Sequence, residues 1–422
     1  MAKVKIQGHA SGSGVLTITA PNTSTDRTLT LPDSTGTILD NTSTLDATKL
    51  SGNLPAISAA SLTNVPKDTT VGGRKNILIN GGMSVAQRGT ITGATSTVYL
   101  PCDRWQMNMV DAGTWTYSQD TDVPAGQGFT HSLKMDCTTA DTSVASSSVM
   151  RIQYQPEAQD LKQLAWGTSN AKALVMSFWI KMDNLTGDFC TDVLSMANSN
   201  NRTVSQKFTY STAGTWQKCI FTIPADTGGN TLPIDNTGQT YWQIFLQAGS
   251  DLTTGTLNTT WATRDNTNRA AGQTIQAASS TSNNIYITGV QLEVGSTATD
   301  FEYRSFGEEL ALCKRYFESS YPHGTVVGVT SFITGYLTRA VSGNTNSEIG
   351  GPSYTVEKRA IPTVVIYHAV NGATNRVYKV SDGSSQTITG LAQHNVHGGG
   401  YLQLSSGADN SYKYHFSADA EL

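Results

Sequence analysis

Apolar and polar positions alternate along this chain in short runs, and the character of the alternation changes three times. At the start the runs are thin. Val15-Leu16-Thr17-Ile18-Thr19 and Thr28-Leu29-Thr30-Leu31-Pro32 each place one narrow apolar line on a strand face. Turn formers at Pro21-Asn22, Pro32-Asp33 and Thr35-Gly36 separate them. Lys49-Leu50-Ser51-Gly52-Asn53-Leu54-Pro55-Ala56-Ile57 and Leu62-Thr63-Asn64-Val65-Pro66 then repeat small apolar anchors between turns, and no Phe, Tyr or Trp precedes Tyr99. A single chain with so little bulky side chain cannot offset the entropy of ordering itself. Residues 1–70 are therefore either a flexible tether or an extended shaft in which sister copies bury each other's Leu and Ile lines. The regular spacing favours the shaft.

Over residues 71–304 the runs become bulkier. Leu174-Val175-Met176-Ser177-Phe178-Trp179-Ile180, Lys218-Cys219-Ile220-Phe221-Thr222-Ile223-Pro224 and Tyr241-Trp242-Gln243-Ile244-Phe245-Leu246 read as strands. From Asn284 to Val294, Ile285 and Ile287 share one face, and after Gly289 the apolar parity passes to Val290, Leu292 and Val294. A glycine bulge produces that change. Many short strands joined by long polar loops predict an antiparallel β-sandwich.

A connector helix is predicted over residues 305–320. Ser305-Phe306-Gly307-Glu308 has capping-box spacing, and Phe306, Leu310, Cys313 and Phe317 fall on one stripe. That stripe has two possible partners, its own sandwich or a threefold axis. Residues 321–422 form a last β unit, with strands at Ala360-Ile361-Pro362-Thr363-Val364-Val365-Ile366-Tyr367 and Tyr412-Lys413-Tyr414-His415-Phe416. The fold class is all-β.

Composition narrows the function. Charged residues make up 14% of the 422, against roughly 25% for an average soluble domain. Thr, Ser, Asn and Gly must solvate the surface instead. A net charge of −4 with no Lys/Arg cluster argues against a nucleic-acid partner. Met1-Ala2-Lys3-Val4-Lys5 opens like a signal peptide, but no apolar stretch follows, so assembly in a cytoplasm without membrane insertion is expected. Cys102, Cys137, Cys190, Cys219 and Cys313 show neither metal nor C-x-x-C spacing and read as reduced, mostly buried thiols.

No motif for phosphate binding, metalloprotease chemistry, a nucleophile elbow or an EF-hand occurs. His394 and His397, three apart, point to opposite faces of a strand and make a poor metal pair. Glu308 and Glu309 sit in the first helical turn, where acids complement the macrodipole, so they are not paired catalytic carboxylates. Asp265-Asn266-Thr267-Asn268 and Asp235-Asn236-Thr237-Gly238 read as Asx turns before calcium loops. No catalytic, cofactor or metal residue is assigned. Among the tryptophans, Trp179 and Trp242 have apolar neighbours and read as buried. Trp261, in Thr259-Thr260-Trp261-Ala262-Thr263, reads as the exposed ring and the one candidate for glycan contact.

Several stretches resemble one family. Gly14-Val15-Leu16-Thr17-Ile18-Thr19-Ala20-Pro21 with Thr28-Leu29-Thr30-Leu31-Pro32-Asp33-Ser34-Thr35-Gly36-Thr37 is similar to the amino-terminal module of bacteriophage tail fibres. Lys49-Leu50-Ser51-Gly52-Asn53-Leu54-Pro55-Ala56 resembles their shaft repeats. Asn76-Ile77-Leu78-Ile79-Asn80-Gly81-Gly82-Met83, Gln87-Arg88-Gly89 and Asp103-Arg104-Trp105 resemble the opening of their carbohydrate-binding-like jelly roll. Trp166-Gly167-Thr168, Ser177-Phe178-Trp179 and Thr288-Gly289-Val290-Gln291-Leu292-Glu293-Val294-Gly295 continue it. Phe301-Glu302-Tyr303-Arg304, Glu308-Glu309-Leu310-Ala311-Leu312-Cys313 and Lys314-Arg315-Tyr316-Phe317 close it, and the ending from Tyr414 to Leu422 is similar too.

The resemblance implies a homotrimeric virion protein of the phage tail. Its amino terminus would join other tail or baseplate proteins, and its distal end would meet a host surface glycan or envelope protein. It implies no catalytic residues and no cofactor. The competing expectations are a head or baseplate decoration protein without receptor contact, a polysaccharide depolymerase, and a glycan-binding module of a secreted enzyme.

Overall fold

The computed structural model describes residues 11–13, 24–25, 74–228, 231–330, 335–340, 348–405 and 411–422. Contacts divide the chain into two units, Met1–Val65 and Pro66–Leu422. Apart from positions 11–13 and 24–25, the shaft expected over residues 1–70, with its trimeric association, lies outside the described residues.

The second unit is all-β in plan, with antiparallel sheets. One sheet of six strands is ordered Ile91–Ala94 (β1), Thr114–Asp120 (β4), Ser132–Thr139 (β5), Asn284–Val294 (β13), Leu174–Met182 (β7) and Gln217–Ile223 (β10). A sheet of seven is ordered Ala262–Thr263 (β12), Arg202–Tyr210 (β9), Gly187–Ser195 (β8), Thr240–Ala248 (β11), Val149–Tyr154 (β6), Gln106–Val110 (β3) and Val98–Tyr99 (β2). Their apolar faces meet in one core. Phe178 of β7, for example, lies edge-on to Phe189 of β8 and Phe208 of β9, with centroids 6.4 and 5.9 Å away. The bulge read at Gly289 is present: the β13–β7 register shifts between Thr288 and Gln291, and Gly289 has φ +63°. All five cysteines are free and buried.

The opening motif of the sandwich works through its backbone. Asn80, at φ +58°, donates Nδ2 to the carbonyls of Val85 (2.8 Å) and Asp103 (3.0 Å) and accepts from the Val85 amide (3.0 Å). A β-carbon on Gly81 would fall 1.9 Å from the Val290 carbonyl oxygen, so glycine is required there.

The helix is shorter than expected. It spans Phe306–Lys314 with Ser305 as its cap, whose hydroxyl accepts from the Glu308 amide at 3.4 Å. Phe317 has already left it for a strand, because Phe317–Ser319 (β14) pairs with the carboxyl-terminal strand. The stripe packs on its own sandwich: Cys313 and Tyr316 belong to the sandwich core, whereas Phe306 is 49% exposed. Glu309 is buried and accepts the Asn80 amide at 2.6 Å, which fixes it in a structural role.

The third sheet contains β14, Leu337–Ala340 (β15), Glu348–Gly350 (β16), Thr363–His368 (β17), Arg376–Lys379 (β18), Ser385–Ala392 (β19), Tyr401–Leu404 (β20) and Ser411–Asp419 (β21). Tyr412, Tyr414 and Phe416 of β21 face its core together. The chain end is tied to the sandwich by buried charge. Arg104 pairs with Glu421 and lies 3.4 Å over the Tyr316 ring, and Arg88 reaches Glu421 at 3.2 Å and Asp103 at 3.5 Å. Arg315 grips Glu157 through two bonds of 2.7 and 2.9 Å.

Candidate functional site

Strand parity decides which aromatic rings the surface receives. In β7 the odd-numbered neighbours of the core residues Met176, Phe178 and Ile180 are Ser177, Trp179 and Lys181, and these face away from the sandwich core. Trp179 is therefore half-exposed, although its apolar neighbours gave the expectation of burial; those neighbours occupy the opposite face. It stands opposite Lys218 of β10 and Thr288 of β13.

Beside it, the Gly289 bulge leaves the sheet bare. Phe129, Phe301 and Tyr303 fill that side as a triad, with centroids 5.1 Å (Phe129–Phe301), 5.0 Å (Phe301–Tyr303) and 5.6 Å (Phe129–Tyr303) apart. The first two contacts are edge-to-face, the arrangement ring quadrupoles favour. Tyr303 is 55% exposed. Its hydroxyl donates to the Gln127 carbonyl, and burial pushes the phenol up from its ordinary range, so it stays a neutral donor.

Together these side chains line a cleft of about 320 Å³. Trp179, Phe301 and Tyr303 supply flat apolar walls, and Gln127, Ser177, Lys218 and Asp300 supply amide, hydroxyl, ammonium and carboxylate groups. The face continues along the sheet. Lys181 lies 4.5 Å over the Tyr286 ring, and Trp216 donates Nε1 to Asp122 at 3.0 Å. Burial opposes ionisation of Asp122, yet Lys181 and the Trp216 indole together hold its carboxyl below the usual range. Rings interleaved with hydrogen-bonding groups suit a sugar, whose C–H faces stack while its hydroxyls bond at the edge. Asp300 is the only acid among the residues lining the cleft, whereas glycoside cleavage ordinarily uses two carboxyl groups.

Trp261, expected as the exposed ring, is partly exposed, as Trp179 is, with one side packed against the core. It meets Trp166 edge-on at 5.1 Å and donates Nε1 to the Pro224 carbonyl at 2.7 Å. Its polar sequence neighbours concealed that packing. Trp242 is buried as expected. Asp265 and Asp235 form the Asx turns read from the sequence, each accepting from the amide two residues on at 3.0 Å. Among the described residues no group of three His, Cys, Asp or Glu is placed to hold a metal ion, and His394 lies 3.3 Å from the Pro362 carbonyl.

No protein-family model matches the chain, and no curated protein matches its sequence. Among solved structures it is similar to the enzymatically active domain of tailspike protein 4 from bacteriophage CBA120, at 10% identity and a TM-score of 0.25 over 46% of this chain. The chain spans 19% of that protein's length. It is similar to a CBM4 module at 13% identity and a TM-score of 0.26, covering 51% of this chain and 98% of that one. The CBM22-2 xylan-binding domain of Paenibacillus barcinonensis Xyn10C matches at 14% identity and a TM-score of 0.25, over 46% and 92%.

Proposed function

We propose that this chain is a bacteriophage tail-fibre subunit, a non-enzymatic virion protein that adheres to the bacterial surface by holding a glycan in the Trp179 cleft. The observation that carries the adhesive reading is the cleft: solvent-facing rings backed by a glycine bulge, with polar groups at the rim. The ordered resemblance along nearly the whole chain supports the tail-fibre assignment. The single carboxylate in the cleft supports binding without cleavage.

In this reading residues 1–70 trimerise and join other tail or baseplate proteins, and the sandwich and tip face the host. Each sugar contact can then be weak, because linked copies raise avidity by a factor on the order of 10²–10⁴. The test uses virions and purified chain together. Antibody-labelled particles in electron microscopy should carry the label at the tail, and soluble full-length protein should compete with virions for host cells. Label on the head, with no competition, would replace this function with a decoration role.

A further inference from the structure

Next to the cleft that Trp179 lines stands a second indole that does not line it. In β10 the core residues Cys219, Phe221 and Ile223 alternate with Lys218, Ile220 and Thr222, which face outward. Trp216 carries that outward face on, just ahead of the strand. The pairing of β10 with β7 sets Lys218 against Trp179 and Gln217 against Ile180, so Trp216, one residue earlier, comes beside Lys181. Four outward side chains therefore form a square, with Trp179 and Trp216 on one diagonal and Lys218 and Lys181 on the other. Diagonal neighbours in an antiparallel pair lie about 7–8 Å apart at the backbone.

The two lysine corners differ. Lys181 is committed, because its ammonium pairs with Asp122 and lies over the Tyr286 ring. Lys218 is exposed at the Trp179 cleft and has no ion pair among the described residues. Asp122 also fixes Trp216: one carboxylate oxygen bonds Lys181, and the other accepts the indole Nε1 at 3.0 Å. The Trp216 ring meets Tyr286 edge-on at 6.4 Å. Trp216 is half-exposed, and with its one polar atom already bonded it offers solvent only apolar ring surface. Contact with the buried Tyr286 accounts for one side of the indole and leaves its exposed side without a partner.

We infer that Trp216 is a second sugar-stacking position, so that this face holds a run of linked sugars and not a single terminal one. The inference rests on the glycan-binding reading of the Trp179 cleft and names its ligand class: a stretch of two sugars or more, one over each indole, with Lys218 donating to the oxygens between them. Both rings are held before the ligand arrives, Trp179 by its strand and Trp216 by Asp122, so little ordering entropy opposes binding.

Titration calorimetry on the full chain tests this. The probe is the bacterial surface polysaccharide that the chain retains on a glycan array, cut by mild acid and sized into fragments of one to four sugars. Wild-type affinity should rise on the order of tenfold from one sugar to the longer fragments, the effect of one added stacking contact. Trp216→Ala should abolish that rise, so that all lengths bind alike, whereas Trp179→Ala should weaken every length. Trp216→Leu keeps an apolar body without a flat face, should behave as Trp216→Ala, and gives the answer if the alanine variant does not fold. Equal wild-type affinity for one sugar and four, or a rise that survives in the Trp216 variants, overturns the inference and leaves the Trp179 reading standing. Retention of no glycan on the array overturns that reading and the inference with it.

Discussion

Trp179 and Gly289 share one space: a β-carbon on Gly289 would fall 3.0 Å from Trp179 Cδ1 and 2.5 Å from Phe129 Cζ. The bulge that sends Val290 and Leu292 into the core therefore also makes room for the rings of the cleft. Because Gly289 sits at φ +63°, Gly289→Ala meets both the steric and the backbone penalty. It should destabilise the chain by about 1–3 kcal/mol, read from urea unfolding. An unchanged midpoint would show that the rings do not depend on this glycine.

The charge network at the chain end supplies a second outcome. Arg104 and Glu421 are both nearly inaccessible, so removing one partner strands the other in a dry site. Glu421→Gln should cost roughly 3–5 kcal/mol, whereas the paired change Arg104→Met with Glu421→Leu should cost less than the single one. Thermal unfolding of the two variants checks the order. A neutral Glu421→Gln would mean that the tail is not held by this pair.

Acid–base behaviour follows from Asp103. Burial raises its carboxyl to about 7, against the pull of Arg88 and Gln87. Its ordinary value is about 3.9. Between those limits the folded protein binds the proton more tightly than the unfolded chain. Its contribution to stability is thus fully present below about pH 4 and lost as pH rises through about 7. Asp103→Asn should remove that part of the slope when urea midpoints are compared across this range. An identical slope in the variant would contradict the assignment.

Association is tested by mass in solution. Sedimentation equilibrium on the full chain should give three chains per particle, and removal of Met1 to Lys67 should shift the particle toward single chains. A full-length monomer would contradict the trimer.

Much of the sandwich was legible because local chemistry and tertiary demand agree there. The Gly289 parity change, the Ser305 cap and the Asx turns at Asp235 and Asp265 each follow from a few neighbouring residues. The aromatic cleft was not legible for the opposite reason. In Leu174–Met182 both faces carry apolar side chains, so the outward place of Trp179 has no periodic signature. The packing of Trp261 on Trp166 has no signature in its polar neighbours either. Glu421 lies more than 300 residues from Arg88 and Arg104, and only the fold joins them.

Adhesion through the Trp179 cleft is tested most directly by an array of bacterial surface glycans probed with the wild-type chain and with folded Trp179→Ala and Trp261→Ala variants. The wild type should retain one or more glycans, Trp179→Ala should lose them by about tenfold or more, a stacking loss of the usual size, and Trp261→Ala should behave as wild type. A wild-type chain that retains no glycan, or a Trp179→Ala profile that matches the wild type, would contradict the account.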